Sequence, residues 1–178
     1  MSINRKLAGT LGALSLAVAA GGAQAELKVG ALLPLTGDLQ AYGESSRNGI
    51  NLAANEINAA GGVLGEPMSI EIADTQTEPQ SGVDAAQRLV SVQGVSAMVG
   101  ALSSGVTIPV ASSVSAVEGV PQISGASTSP VMTDLDDNDF LFRTTPSDAF
   151  QGTALAEVAA DEGMDSVAIM YINNDYGE

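Results

Sequence analysis

Two hydrophobic periods alternate along the chain. Lys28 to Leu33 is a short apolar run stopped by Pro34 and the Thr36-Gly37-Asp38 turn, which predicts a buried strand. Ala41 to Ala60 repeats at helical spacing, with Ile50, Ala54 and Ile57 on one face and Gly61-Gly62 as the stop. Met68 to Ala73 alternates as a strand, and Pro79 to Val92 is helical with Val83, Ala86, Leu89 and Val90 aligned. Ser96 to Leu102 predicts a third strand. The helix after it carries Val106, Val110, Val114 and Val117 on one stripe and closes at Gly119. Val120 to Ile123 and Phe140 to Thr144 are extended, Asp148 to Asp161 is helical, and Ser166 to Ile172 is a further strand. Strands alternating with helices through short Gly- or Pro-marked loops predict the α/β class, with parallel βαβ units in a doubly wound sheet.

The chain ahead of the first strand follows a different rule. Arg5 and Lys6 precede an uncharged apolar or small run from Leu7 to Ala20, which closes on Ala23-Gln24-Ala25. This layout predicts a signal peptide over residues 1–25, cleaved near Ala25, so that the mature chain starts at Glu26. The apolar run is short for a membrane span, so no membrane insertion is expected after cleavage. At the other end, Tyr171 to Glu178 leaves the last strand and stops where the next helix is due. The sequence is therefore expected to be the front part of a longer protein.

Composition then narrows the chemistry. The 178 residues include 6 Lys or Arg and 21 Asp or Glu, a net charge of −15, which becomes −17 once Arg5 and Lys6 leave with the signal peptide. Such an acidic chain repels a phosphate backbone, so nucleic acid is not an expected partner. Neither Cys nor His is present, which removes disulfides, thiolate chemistry, zinc sites and imidazole bases. No catalytic residue, metal or cofactor is expected. The acidic run Asp134 to Asp139 has carboxylates at calcium-loop spacing but lacks the glycine and terminal glutamate of such a loop, and it reads as a solvated loop.

In open α/β sheets, ligands sit at the carboxyl ends of the strands. At the third such end, Leu102-Ser103-Ser104-Gly105 runs into a helix, with Pro109 placed in or near its first turn. Free N–H groups, two hydroxyls and the positive helix end make an anion site there, although a serine at that position is equally an N-cap. The fourth strand end, Ser124 to Pro130, is small and polar. Together the two ends suit a small zwitterion, its carboxylate at the helix start and its ammonium at carbonyls and the Thr128 hydroxyl. A serine hydrolase reading fails for want of a base, since Lys28, the one lysine of the mature chain, starts a strand at the far end.

These residues resemble the periplasmic leucine/isoleucine/valine-binding proteins of bacterial ABC uptake systems, which are type I periplasmic binding proteins. The similarity runs through Lys28-Val29-Gly30, Pro34-Leu35-Thr36-Gly37, Tyr42-Gly43, Asn48-Gly49 and Glu56 to Gly62. It continues through Val99 to Ser104, Gly125 to Pro130, Phe142-Arg143-Thr144 and Asn174-Asp175-Tyr176-Gly177. The resemblance implies a two-lobe clamshell, with the N-terminal lobe over residues 26–145 and the start of the second over 146–178. It implies that Ser104, with its N–H and hydroxyl, and the Thr128 N–H hold the ligand carboxylate. By the same resemblance the Ala126 carbonyl and Thr128 hydroxyl would receive the ammonium, with Ser127 beside them and Ser103 at the same helix start. Tyr42 would wall the side-chain pocket and Tyr176 would close from the second lobe.

Two departures stand against this pattern. The acidic residue that the second lobe of such proteins presents to the ammonium is expected in the missing part of that lobe and is not assigned, and the disulfide of some members is impossible without Cys. Thr77 and Ser103 stand about where its partners would be. The resemblance implies a monomer in the periplasm of a Gram-negative bacterium, without enzymatic activity, delivering a small amino acid to the membrane permease subunits of an ABC transporter. Alternatives on the same fold are a protein for urea, short amides or small carboxylates, and a sensory ligand-binding module.

Overall fold

The structure is a computed structural model and describes residues 26–177; the expected signal peptide lies outside them. Five strands form one parallel sheet in the order β2-β1-β3-β4-β5. They are β1 (Leu27–Leu33), β2 (Met68–Asp74), β3 (Ala97–Gly100), β4 (Gln122–Ser124) and β5 (Leu141–Arg143). Between them run α1 (Gln40–Ala59), α2 (Pro79–Arg88), α3 (Ser104–Val110) and the short α4 (Ala116–Glu118), with α5 (Asp148–Asp161) after the last strand.

The order of strands fixes the layers. The crossover from β1 to β2 moves one way across the sheet, and the crossovers from β2 to β3 and from β3 to β4 move the other way. Right-handed connections then place α1 on one face and α2 and α3 on the opposite one. The main core lies under that second face, where Leu32 and Met98 of the sheet meet Ala85, Ala86, Leu89, Val106, Val110 and Val114 of the helices. Across from it α1 buries only Gly43 and Ala54. Of its expected apolar face, Ile50 is half-buried and Ile57 is 38% exposed.

Two helices depart from the periodic pattern at π turns, Leu89–Gln93 after α2 and Ala111–Ser115 after α3. A π turn closes i→i+5 bonds and takes up more residues than an α turn, which rotates everything downstream. Hence Val106, Val110 and Val114 are buried while Val117 is 70% exposed. Pro109 lies in the interior of α3, beyond the first turn that the sequence suggested, because the helix already begins at Ser104. Its missing N–H deprives the Gly105 carbonyl of an α-type partner.

The expected strand over Ser166 to Ile172 is absent: these residues are exposed and pair with no strand among the described residues. A strand is defined by its neighbour, and the five-stranded sheet ends at β5. Helix α5 is likewise uncovered, with Phe150, Leu155 and Val158 exposed. No described helix is long and apolar enough to cross a membrane.

Candidate functional site

The sheet reverses its winding between β1 and β3, and a crevice opens outside their carboxyl ends, where such sheets bind ligands. A cavity of about 660 Å³ occupies this place. Asp38, Leu39 and Tyr42 line it from the β1–α1 side, Thr77, Glu78 and Pro79 from the end of β2, and Leu102, Ser103 and Ser104 from the end of β3. Ala126 comes from the loop after β4, and Ile172, Asn173, Asn174 and Tyr176 come from the last described segment.

Each wall is anchored by local chemistry. The Asp74 carboxylate, at the end of β2, accepts hydrogen bonds from the Leu35, Thr36 and Gln76 N–H groups and from the Thr36 hydroxyl at 2.6 Å. Burial pushes this carboxyl up, but the Thr36 hydroxyl and the Gln76, Thr36 and Leu35 amides outweigh it and hold the group below its ordinary 3.8. The Thr77 hydroxyl accepts from the Leu39 N–H at 3.1 Å. The β1–α1 loop that leads into the first turn of α1, where Tyr42 stands, is thus fastened to the neighbouring strand end. Gly43 completes the fit, since a Cβ there would sit 2.1 Å from the Pro34 carbonyl oxygen.

Ser103 is the residue before α3, in extended conformation, and its side chain forms no cap hydrogen bond. Ser104 is buried, and its hydroxyl oxygen accepts from the Thr128 and Ser129 N–H groups at 3.2 Å each. The first N–H groups of α3, those of Ser104 and Gly105, have no intrahelical acceptor, as at any helix start. The Asn174 side chain lies over this turn, 3.1 Å from where a Cβ on Gly105 would stand.

Tyr42, Ser103, Ser104, Ala126 and Tyr176 therefore share one cavity, whereas Ser127 and Thr128 are not among its lining residues. The Ser127 hydroxyl is buried and bonded to Thr107 Oγ1 and Ser124 Oγ at 2.8 Å and to the Leu102 carbonyl at 3.1 Å. Ser124 and Thr107 also donate to the Ala101 carbonyl, at 2.6 and 3.0 Å. This hydroxyl cluster ties the β3 and β4 ends together. Thr128 is half-buried, its N–H on Ser104 and its hydroxyl donating to Asp148 Oδ2 at 2.6 Å. On the outer side, Thr145 Oγ1 donates to the Ser127 carbonyl and the Asp148 N–H to the Thr128 carbonyl, both at 2.9 Å.

Sequence reasoning did not single out Asp148 beyond its place at a helix start, nor Asn174 beyond the motif around it. Both contacts are made across the fold. Thr77 and Ser103, the positions expected to stand where a disulfide is found in some relatives, do line the same cavity.

A family model described as periplasmic binding protein matches residues 26–178. The chain belongs to this family. The Leu/Ile/Val-binding protein BraC3 of Rhizobium johnstonii is 39% identical over 157 residues, which are 88% of this chain and 42% of that protein. Among solved structures, the branched-chain amino acid transporter substrate-binding protein LivJ of Streptococcus pneumoniae, in complex with isoleucine, superposes with a TM-score of 0.71 at 33% identity. That match covers 78% of this chain and 39% of LivJ. An ABC transporter substrate-binding protein of Desulfitobacterium hafniense in complex with leucine gives 0.68 at 34% identity, over 86% and 44% of the two chains. The chain thus spans well under half the length of the relatives it matches. As a periplasmic binding protein it belongs with solute-binding proteins and not with enzymes, and its parallel α/β sheet agrees with the type I fold of these neighbours.

Proposed function

We propose that this binding protein captures leucine, isoleucine or valine in the periplasm and delivers it, as a monomer, to the permease subunits of an ABC uptake system. Residues 1–25 would direct its export. Residues 26–145 form the first lobe of a clamshell and residues 146–178 begin the second. The Ser104 hydroxyl and helix start, with the Thr128 N–H, receive the ligand carboxylate. The Ala126 carbonyl and the Thr128 hydroxyl receive the ammonium, Ser103 and Ser127 support these contacts, and Tyr42 and Tyr176 face the side chain from the two lobes.

The observation that carries this reading is the cavity at the sheet's winding reversal. It joins a serine at a helix start, a small polar loop and two tyrosines, and among the described residues it has no lysine or arginine in its lining. Its charged lining residues are the acidic Asp38 and Glu78, so a helix start and hydroxyls that can take a carboxylate stand beside carboxylates that favour an ammonium, the two ends of a zwitterion.

A thermal-shift screen on the full-length mature protein tests it, using aliphatic amino acids, urea and short amides. Leucine, isoleucine or valine at ~100 times its dissociation constant should add roughly 2.7 kcal/mol, a rise of several degrees. A rise with urea or an amide and none with any amino acid would overturn the ligand assignment.

A further inference from the structure

We propose that Gly105 is the seat on which the turn at residues 172–177 closes the ligand cavity, and that the missing side chain at 105 sets how tightly this wall holds a ligand. The inference rests on the amino-acid reading above and adds a position outside the assigned ligand contacts that governs how long they last.

The wall is folded on itself. The Asn174 N–H donates to the Ile172 carbonyl and the Gly177 N–H to the Asn174 carbonyl, both at 2.9 Å. Asn174 Oδ1 accepts from the Tyr176 N–H at 3.0 Å. Gly177 closes the turn so tightly that a Cβ on it would stand 2.1 Å from the Ile172 carbonyl oxygen. The turn therefore presents Ile172, Asn173, Asn174 and Tyr176 to the cavity as one piece. Among the described residues, every hydrogen bond made by residues 172–177 stays within them. The wall is thus stiff within itself and rests against the cavity by packing.

Gly105 is where that packing is closest. It is buried in α3, directly after Ser104, and its φ lies outside the left-handed region. In such a helical backbone alanine is the better residue, so the backbone gives no reason for a glycine. The space around it does. Outside its own turn, the three atoms nearest to a Cβ at 105 all belong to Asn174, with Nδ2 at 3.1 Å, Cγ at 3.2 Å and Cβ at 3.5 Å. The first two fall short of the ~3.5–4.0 Å that non-bonded carbon atoms prefer. Asn174 does not swing aside freely, because its Oδ1 holds the Tyr176 N–H. A methyl group at 105 therefore pushes back the whole turn and takes Tyr176 away from Ser103 and Ser104 across the cavity. A wall held off in this way releases its ligand sooner.

Two sets of variants of the full-length protein test the proposal. In Gly105→Ala, leucine affinity measured by calorimetry should fall about 5-fold or more, as an overpacked contact implies, and further in Gly105→Val. The loss should appear as faster dissociation in stopped-flow exchange. The ligand-free melting temperature of Gly105→Ala should stay level or rise, which a merely structural glycine would not allow. In an Asn174→Ala background the same Gly105→Ala change should alter affinity by no more than about 2-fold, since its obstacle is gone. The second test needs no ligand. The 178 residues contain no cysteine, and the 3.5 Å between the Asn174 Cβ and a Cβ at 105 lies in the range that a disulfide spans. Gly105→Cys with Asn174→Cys should lose both free thiols on mild oxidation. Unchanged leucine affinity in Gly105→Ala and Gly105→Val, a full loss that persists in the Asn174→Ala background, or a pair of cysteines that does not cross-link would each overturn the seat. A cross-link that forms in a protein to which leucine does not bind would support the seat and sink the ligand reading instead.

Discussion

The Ser104 hydroxyl oxygen lies 3.2 Å from the Thr128 amide nitrogen, which joins the helix start after β3 to the loop after β4 through the two residues assigned to the ligand. The same oxygen takes the Ser129 N–H, so one buried side chain serves two backbone donors. Ser104→Ala leaves both donors without this acceptor. We expect a loss of about 1–3 kcal/mol in urea unfolding together with at least ~10-fold weaker leucine binding. Unchanged leucine affinity in a correctly folded variant would remove Ser104 from the site.

Ser127 separates structure from recognition. Its hydroxyl is committed to Thr107, Ser124 and the Leu102 carbonyl inside the protein. Ser127→Ala should cost about 1–3 kcal/mol, because a buried hydroxyl network loses a member. The ratio of leucine to valine affinity should stay within about 2-fold, which is what an effect exerted only through the backbone allows. A large change in that ratio, measured by calorimetry, would bring the side chain into ligand contact.

What the sequence made legible follows from how local each cause is. Helix α5 occupies the predicted Asp148–Asp161, since Ser147 caps one end and Gly163, at φ +68°, stops the other. The strand ends that line the cavity were also readable, because Pro34, Gly37 and the serine runs are local breakers. Val117 was misplaced because a π turn within the helix has no signature in a pattern of apolar residues. Ser166 to Ile172 has the composition of a strand, but pairing depends on a neighbour elsewhere in the chain. The inward turn of Ser127 and the pairing of Thr128 with Asp148, 20 residues apart, are products of packing. No periodicity encodes them.

Gly43 is a steric requirement of the site. Its position against the Pro34 carbonyl leaves no room for a methyl group, with the clash falling on backbone. Gly43→Ala should destabilise by about 1–3 kcal/mol as an overpacked contact, and should shift the first turn of α1 with Tyr42. The melting temperature and leucine affinity should both fall. A variant as stable as the wild type would show that α1 can stand off from the β1 end at no cost.

Asp74 gives acid sensitivity with a defined sign. Its carboxyl is held below 3.8 in the folded chain and is ordinary, at about 3.9, in the unfolded one. The stabilisation is complete above the unfolded value and is lost as the pH falls through the folded one. Asp74→Asn should therefore be less stable than the wild type at pH 7. The gap between the two should narrow as the pH falls below about 4, in parallel urea melts. A gap that stays constant down to pH 2 would dissociate the carboxylate from the loop it holds.

The charge balance makes the last prediction. Against 21 acidic residues the sequence has 6 basic ones, and among the described residues one ion pair is formed, between Arg47 and Glu44. Like charges on so acidic a surface repel one another, and the folded chain brings them closer than the unfolded one does. Salt shortens the reach of that repulsion from about 10 Å at 0.1 M to about 3 Å at 1 M. The melting temperature should rise steadily between these concentrations of sodium chloride. Potassium chloride should act equally, since screening does not distinguish the two cations. A melting temperature that stays level or falls with added salt would mean that the acidic surface carries no net strain, and that the Arg47–Glu44 pair and the Asp74 bonds outweigh it.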